Sequence, residues 1–355
     1  MTMIKKKKKI AIIVICLVLT IAGLIFLQLN ISKKKQSGNA GALIVDIYEN
    51  HKKSQAEKSD AEKEKTKAEV SNENTPKKSS PSGADSSKSR SNSSSKPKSN
   101  TYYPPYIVAN TASGTSTSST DSAILDYSNA NSGYVMLRYS GSNPKVKTLI
   151  QNSSSGFRRH QFITRKYGSY EAFPLSQGSG NYSVVVYENV SGNTYTPIIS
   201  KNISTSISAT AAFIRPNQIV NYYSGTNAVK YAAELTRGTT NNTQKINAIY
   251  NYIIKNVKYD HNKAANVANG YIPSVGATFN SNRGICFDYA ALMAAMCRSQ
   301  KIPCRVVAGT TPQGLHAWVE VYNGGWKRMD PTFASEGTSS SYINNSSNYI
   351  TQFYY

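Results

Sequence analysis

Cysteine and histidine are scarce in this 355-residue chain, four of each. Cys286, Cys297, Cys304 and His316 could in principle hold a metal, but their separations lack the short paired spacing of a structural zinc site. Neither a metal nor a cofactor is expected. Acidic residues are also few, 19 against 41 Lys and Arg, giving a formal net charge of +22. That excess is not gathered in one place, since the first 100 residues hold 20 basic and 9 acidic side chains and the rest 21 and 10. Beyond residue 100 there is no concentrated basic run and no basic-aromatic recognition motif, so the charge does not mark a nucleic-acid protein. The partner class such a surface fits is an anionic envelope polymer or a lipid surface, with a merely solvated charge surplus as the simpler reading.

Residues 32–100 have almost no apolar side chains in their second half, "PKKSSPSGADSSKSRSNSSSKPKSN". A segment of this kind cannot bury enough surface to offset its ordering entropy and reads as a flexible stalk. Before it, Ile10 to Leu27 is apolar apart from Cys16, Thr20 and Gly23, long enough as a helix to cross a hydrocarbon core of ~30 Å. Lys5 to Lys9 precede this run and Lys33 to Lys35 follow it, a bias that favours a cytoplasmic N-terminus. The reading is a cytoplasmic tail over 1–9, a single-pass transmembrane anchor over 10–31, and a cell-surface remainder outside. A cleaved signal peptide is the alternative, against which stand the length of the run and the lack of a small-x-small site close behind it.

From about 101 to 210 the pieces "SAILDYS", "GYVMLRYSG", "KVKTLIQNSSSG", "HQFITRKYG" and "NYSVVVYENVSGNTYTPIIS" alternate apolar with polar residues and are separated by Asn-Gly-Ser clusters. This predicts an all-β, sandwich-like domain, with "VSGNTY" as a hairpin turn. His160, beside Arg158 and Arg159, reads as a surface residue. Over 211–355 the period changes. "NAVKYAAELTRG" and "TTNNTQKINAIYNYIIKNVKYD" carry apolar residues at helical spacing. "GICFDYAALMAAMCRSQ" is a third helix, so poor in polar residues that it must be buried. "PCRVVAG", "HAWVEVYNG" and "GWKRMDPTF" alternate as strands. The order implies an α+β domain, helices followed by an antiparallel sheet.

Gly284 allows a tight turn that puts Cys286 at the start of the buried helix, where unpaired N–H groups and the helix dipole favour an anion such as a thiolate. His316 opens one strand and Asp330 ends the next, so the two can touch across the hairpin. A nucleophile, a base and a carboxylate that orients the base form the minimum set for acyl transfer through a thioester. The backbone N–H of Cys286 is a natural oxyanion donor, while Trp318, Tyr289 and Tyr259 either line the cleft or fill the core.

The series "GICFDYAALMAAMCRSQKIPCRVVAG", "HAWVEVY" and "DPTF" resembles the transglutaminase-like superfamily, over roughly Asn227 to Phe333. The resemblance implies a papain-like core with Cys286 as nucleophile, His316 as general base and acid, and Asp330 as orienting carboxylate. It implies an amide substrate in a protein or peptide, resolved by water in a peptidase or amidase and by an amine in a crosslinking transglutaminase. A non-catalytic envelope-binding or scaffold protein is the alternative. Three cysteines lie beyond the anchor, an odd number. Cys297 and Cys304 are placed to pair across a short return loop, as a disulfide or as two buried thiols, leaving Cys286 free.

Overall fold

The structure is a computed structural model and describes residues 105–355 apart from 156–159, 165 and 269. The tail, the anchor and the stalk lie outside the described residues. Among the described residues no helix is long and apolar enough to cross a membrane.

The first half is β-rich. β1 (Thr117–Ser119), β2 (Ala123–Asp126), β3 (Tyr134–Tyr139), β4 (Val146–Asn152), β5 (His160–Ile163), β6 (Tyr170–Pro174), β7 (Gly180–Ser191) and β8 (Thr194–Thr205) form two four-stranded antiparallel sheets, ordered β1-β2-β3-β6 and β5-β4-β7-β8. Alternation is the cause: in β7, Tyr182, Val184 and Val186 face inward while their neighbours do not. The β7–β8 hairpin closes on Gly192, whose φ of 51° suits the left-handed backbone of a tight turn.

The second half supplies α1 (Asn227–Leu235), α2 (Asn242–Asn256), β9 (Lys258–Tyr259), α3 (His261–Asn266), α4 (Val275–Ser281), β10 (Arg283–Gly284), α5 (Cys286–Arg298), β11 (Cys304–Thr311), β12 (Gly314–Tyr322), β13 (Trp326–Met329), α6 (Pro331–Ser335), α7 (Ser340–Asn344) and β14 (Ile350–Tyr354). A four-stranded antiparallel sheet in the order β13-β12-β11-β14 carries α5 on one face. Every residue of α5 is buried, and α1, α2, α4, β11 and β12 all pack on it. Ala290, Ala291, Ala294 and Ala295 leave room for that many neighbours, so the scarcity of polar residues in the sequence has its structural counterpart.

A single hydrophobic cluster runs from Ala123 and Leu125 through α5 to Phe353 and Tyr355, so the β-rich half and the helical half share a core. Arg298 ties them further. Wholly buried, it donates to the carbonyl oxygens of Cys304 (2.8 Å), Arg215 (2.6 Å) and Tyr355 (2.8 Å). Those bonds meet the requirement that a buried guanidinium find acceptors for its N–H groups.

His160 is not a surface residue. It is 2 % exposed, packed against Phe162, Phe353 and Tyr355, because β5 turns its first residue inward and the end of the chain closes over it. The three cysteines among the described residues are free and buried, so of the two arrangements open in the sequence the structure has buried thiols at Cys297 and Cys304.

Candidate active site

Cys286 is the first residue of α5, after Ile285 as N-cap in extended conformation. Asp288 fixes that start, accepting the Ile285 N–H at 2.9 Å through Oδ2. Gly284 serves close packing rather than a left-handed turn, since a Cβ there would stand 2.6 Å from the Cβ of Asp288. The carboxylate is wholly buried, and Lys263 Nζ (2.6 Å) and the Tyr271 hydroxyl (2.5 Å) both reach it. A bare carboxylate two residues from the sulfur would oppose a thiolate, and Lys263 offsets that charge.

His316 lies in β12, paired in register with Gly309 of β11. A side chain at Gly309 would collide with the Ile350 carbonyl oxygen, 2.1 Å from the built Cβ, and with the Trp318 ring. Asp330 follows β13 and caps α6, its Oδ1 accepting the Phe333 N–H at 3.0 Å. One carboxylate oxygen therefore holds its own loop, and the other is turned to the site. Oδ2 lies 2.7 Å from His316 Nε2 and accepts the Tyr349 hydroxyl at 3.0 Å. Phe333 stacks on the imidazole with ring centroids 4.1 Å apart and planes 9° from parallel.

Asp330 holds Nε2, and the Cys286 side chain joins it in favouring the charged form of the same imidazole. Burial disfavours the charged ring, but the charge and hydrogen bond of Asp330, joined by Cys286, outweigh it and raise the His316 pKa to about 10. The structure thus brings together Cys286, His316 and Asp330, each 5 % exposed or less. Trp318 and Tyr289 fill the core. Trp318 is fully buried against Tyr349, and the Tyr289 hydroxyl donates to the Val257 carbonyl at 2.7 Å. Tyr259 is only half-buried. Lys263, Tyr271 and Tyr349 were not visible as site residues in the sequence, because no local motif links them to the carboxylates they meet. Among the described residues no cluster could hold a metal ion.

A helix that begins on a cysteine and packs on an antiparallel sheet bearing a His–Asp pair defines a mixed α/β protein of the cysteine–histidine–aspartate kind. Residues 229–331 match the family model of the transglutaminase-like superfamily. The matched segment starts within α1 and ends one residue past Asp330. An uncharacterised protein of Mycobacterium leprae (strain TN) is 33% identical over 81 residues, which is 18% of this chain and 29% of that relative, so the chain spans less than a third of its length. Similar solved structures include a candidate cysteine protease from Cytophaga hutchinsonii (17% identity, 59% of this chain and 76% of that one, TM-score 0.35). Another is the periplasmic domain of TgpA from Pseudomonas aeruginosa (16% identity, 62% of this chain and 98% of that one, TM-score 0.28). Red sea bream transglutaminase matches at 12% identity, 56% of this chain and 47% of that one, with a TM-score of 0.23.

Proposed function

We propose that this chain is an extracellular cysteine-dependent acyl-transfer enzyme that cleaves amide bonds of proteins or peptides through a thioester. One observation carries the reading: a single buried imidazole is held by Asp330 on Nε2 at 2.7 Å and drawn toward its charged form by both Asp330 and the Cys286 side chain. An imidazolium maintained up to pH about 10 is the counter-charge a thiolate needs at neutral pH, and it carries a proton for a departing amine.

In the proposed reaction the Cys286 sulfur attacks the amide carbonyl and forms a C–S bond, while the electron pair of the C=O moves to oxygen. The backbone N–H of Cys286, at the first turn of α5 where amides lack an intrahelical acceptor, faces that charge. Collapse breaks the C–N bond as His316 gives its proton to the amine, leaving an acyl-enzyme thioester and a neutral imidazole. The same imidazole then takes a proton from water or an incoming amine as its oxygen or nitrogen bonds to the thioester carbon, and the C–S bond breaks to return the Cys286 thiolate and release an acid or a crosslinked amide. In this reading Ile10 to Leu27 anchors the chain, 32–100 is the stalk, 101–210 and 211–355 are the domains it carries outside, and the basic surface lies against an anionic envelope polymer.

The test is alkylation by iodoacetamide, read for each cysteine by peptide mass spectrometry across pH. Cys286 is expected to label fastest and to keep labelling well below pH 8, with His316→Ala slowing it about tenfold or more. Labelling of Cys286 no faster than of an ordinary thiol, or indifferent to His316→Ala, would leave a structural cysteine and favour the binding-protein reading.

A further inference from the structure

An oxyanion needs more than one donor, and the backbone N–H of Cys286 supplies only one. The tyrosines around the site narrow the choice of the second. Tyr250 donates to the Asp330 carbonyl (3.3 Å), Tyr271 to Asp288 (2.5 Å), Tyr289 to Val257 (2.7 Å) and Tyr349 to Asp330 (3.0 Å). Trp318 has an unpartnered indole N–H but no exposed surface through which substrate could reach it. Tyr259 differs from all of these. It is half-buried, and its hydroxyl has no hydrogen-bond partner among the described residues. Its position is fixed by the backbone: β9 runs parallel to β10 with Tyr259 paired to Gly284, and Lys258 N–H and Asp260 N–H bond to Asn282 and Gly284 carbonyls, each at 2.9 Å. That pairing sets Tyr259 beside the residue two before the nucleophile.

We propose that the Tyr259 hydroxyl is the second oxyanion donor of the Cys286 site, a catalytic residue that bonds the carbonyl oxygen once the sulfur has added to it. This rests on the acyl-transfer reading above. Burial, and next the charge on Cys286, push the Tyr259 phenol well above its usual pKa. The phenol therefore stays protonated wherever the enzyme works, which a donor to a developing negative charge must do. The neighbouring ring of His261 packs edge-on at 5.0 Å and steadies its orientation.

The full chain, kept in detergent, would be compared as wild type, Tyr259→Phe and Tyr289→Phe in two reactions of the same sulfur. With p-nitrophenyl acetate the thiolate forms a C–S bond through a tetrahedral oxyanion and expels p-nitrophenolate, which leaves as an anion without needing a proton. With iodoacetamide the sulfur displaces iodide, and no oxyanion forms. Tyr259→Phe is expected to slow the p-nitrophenolate burst on the order of 100-fold while alkylation stays within about twofold. Tyr289→Phe, which loses the bond donated to the Val257 carbonyl and the one accepted from Ser335 Oγ at 3.2 Å, should leave both rates near wild type. Equal acylation by wild type and Tyr259→Phe would overturn the proposal. So would a parallel fall in both reactions, because Tyr259 would then be supporting the thiol or the fold. If the wild type itself shows no selective Cys286 reactivity in either reaction, the acyl-transfer reading fails and the donor role falls with it, an outcome distinct from the other two.

Discussion

Two buried histidines, one at each end of the shared core, reach opposite protonation states. His160 in β5 and His316 in β12 are 2 % and 5 % exposed, and both lie against aromatic rings. His160 faces only the Ser176 hydroxyl, 3.5 Å from Nδ1, and its Nε2 has no partner, so burial alone pushes its pKa down to about 3. His316 meets the same penalty from burial, yet Asp330 at 2.7 Å raises it to about 10. Burial therefore does not distinguish a structural histidine from a functional one. The difference is a carboxylate on Nε2, with the Cys286 side chain adding to its effect.

The most severe way to break this contrast is Asp330→Asn, which should turn His316 into a second His160. The imidazole is expected to titrate far below about 10 and toward its ordinary 6.5 or lower, seen in its NMR pH titration, because Cys286 alone would then oppose burial. Turnover of p-nitrophenyl acetate should fall about 10³- to 10⁴-fold, the range typical of losing the carboxylate behind a catalytic histidine. An imidazole still charged at neutral pH in the variant would mean that Asp330 is not what holds the proton. Stability carries the same sign: with the folded pKa raised, the His316 contribution is full below pH 6.5 and is lost as pH rises through about 10. In Asp330→Asn that alkaline loss should disappear.

How much of this contrast could be read in the chain depends on how local each signal is. Cys286 and Asp330 sit at ends of elements and His316 two residues inside the start of β12, where a glycine before an apolar run, an Asp-Pro pair and a loop before a strand mark the boundaries. Their mutual order then follows from the antiparallel hairpin. The supports are different. Lys263 and Tyr271 reach Asp288 from 25 and 17 residues away, and Tyr349 reaches Asp330 from 19, through contacts made by packing rather than by pattern. His160 departs from its sequence reading for a related reason. Arg158 and Arg159 beside it suggested solvent, while the rings of Phe353 and Tyr355 that enclose it arrive from the other end of the chain. The free state of Cys297 and Cys304 was likewise open in the sequence, which brings them close but does not set their redox state.

Tyr349→Phe sharpens the comparison by weakening the carboxylate's support without removing its charge. It takes away one of the two donors to Asp330 Oδ2 and leaves the imidazole as the other. A single hydrogen bond to a charged group of this kind contributes about 1.5 kcal/mol, so the urea midpoint should fall by a comparable amount of stability. Turnover should drop about tenfold at most, since that energy bounds the loss in transition-state stabilisation. A loss as large as that of Asp330→Asn would show that Tyr349 sets the state of the pair rather than supporting it.

The smallest effect on chemistry belongs to His160→Phe, the control at the other end of the core. Because its folded pKa lies below the unfolded value, His160 costs no stability above pH 6.5, and its penalty grows as pH falls from 6.5 toward about 3. At pH 5 the unfolded chain is favoured by about 2 kcal/mol on this account, at 1.36 kcal/mol per pH unit. Phenylalanine keeps the ring contacts with Phe162, Phe353 and Tyr355 and has no proton to gain, so its stability between pH 5 and 7 should be nearly flat where the wild type slopes. The rate of Cys286 alkylation should be unchanged at every pH. A change there would mean that the neutral histidine and the charged one communicate through the core that α5 and β14 share, and that the two ends of the molecule are not chemically independent.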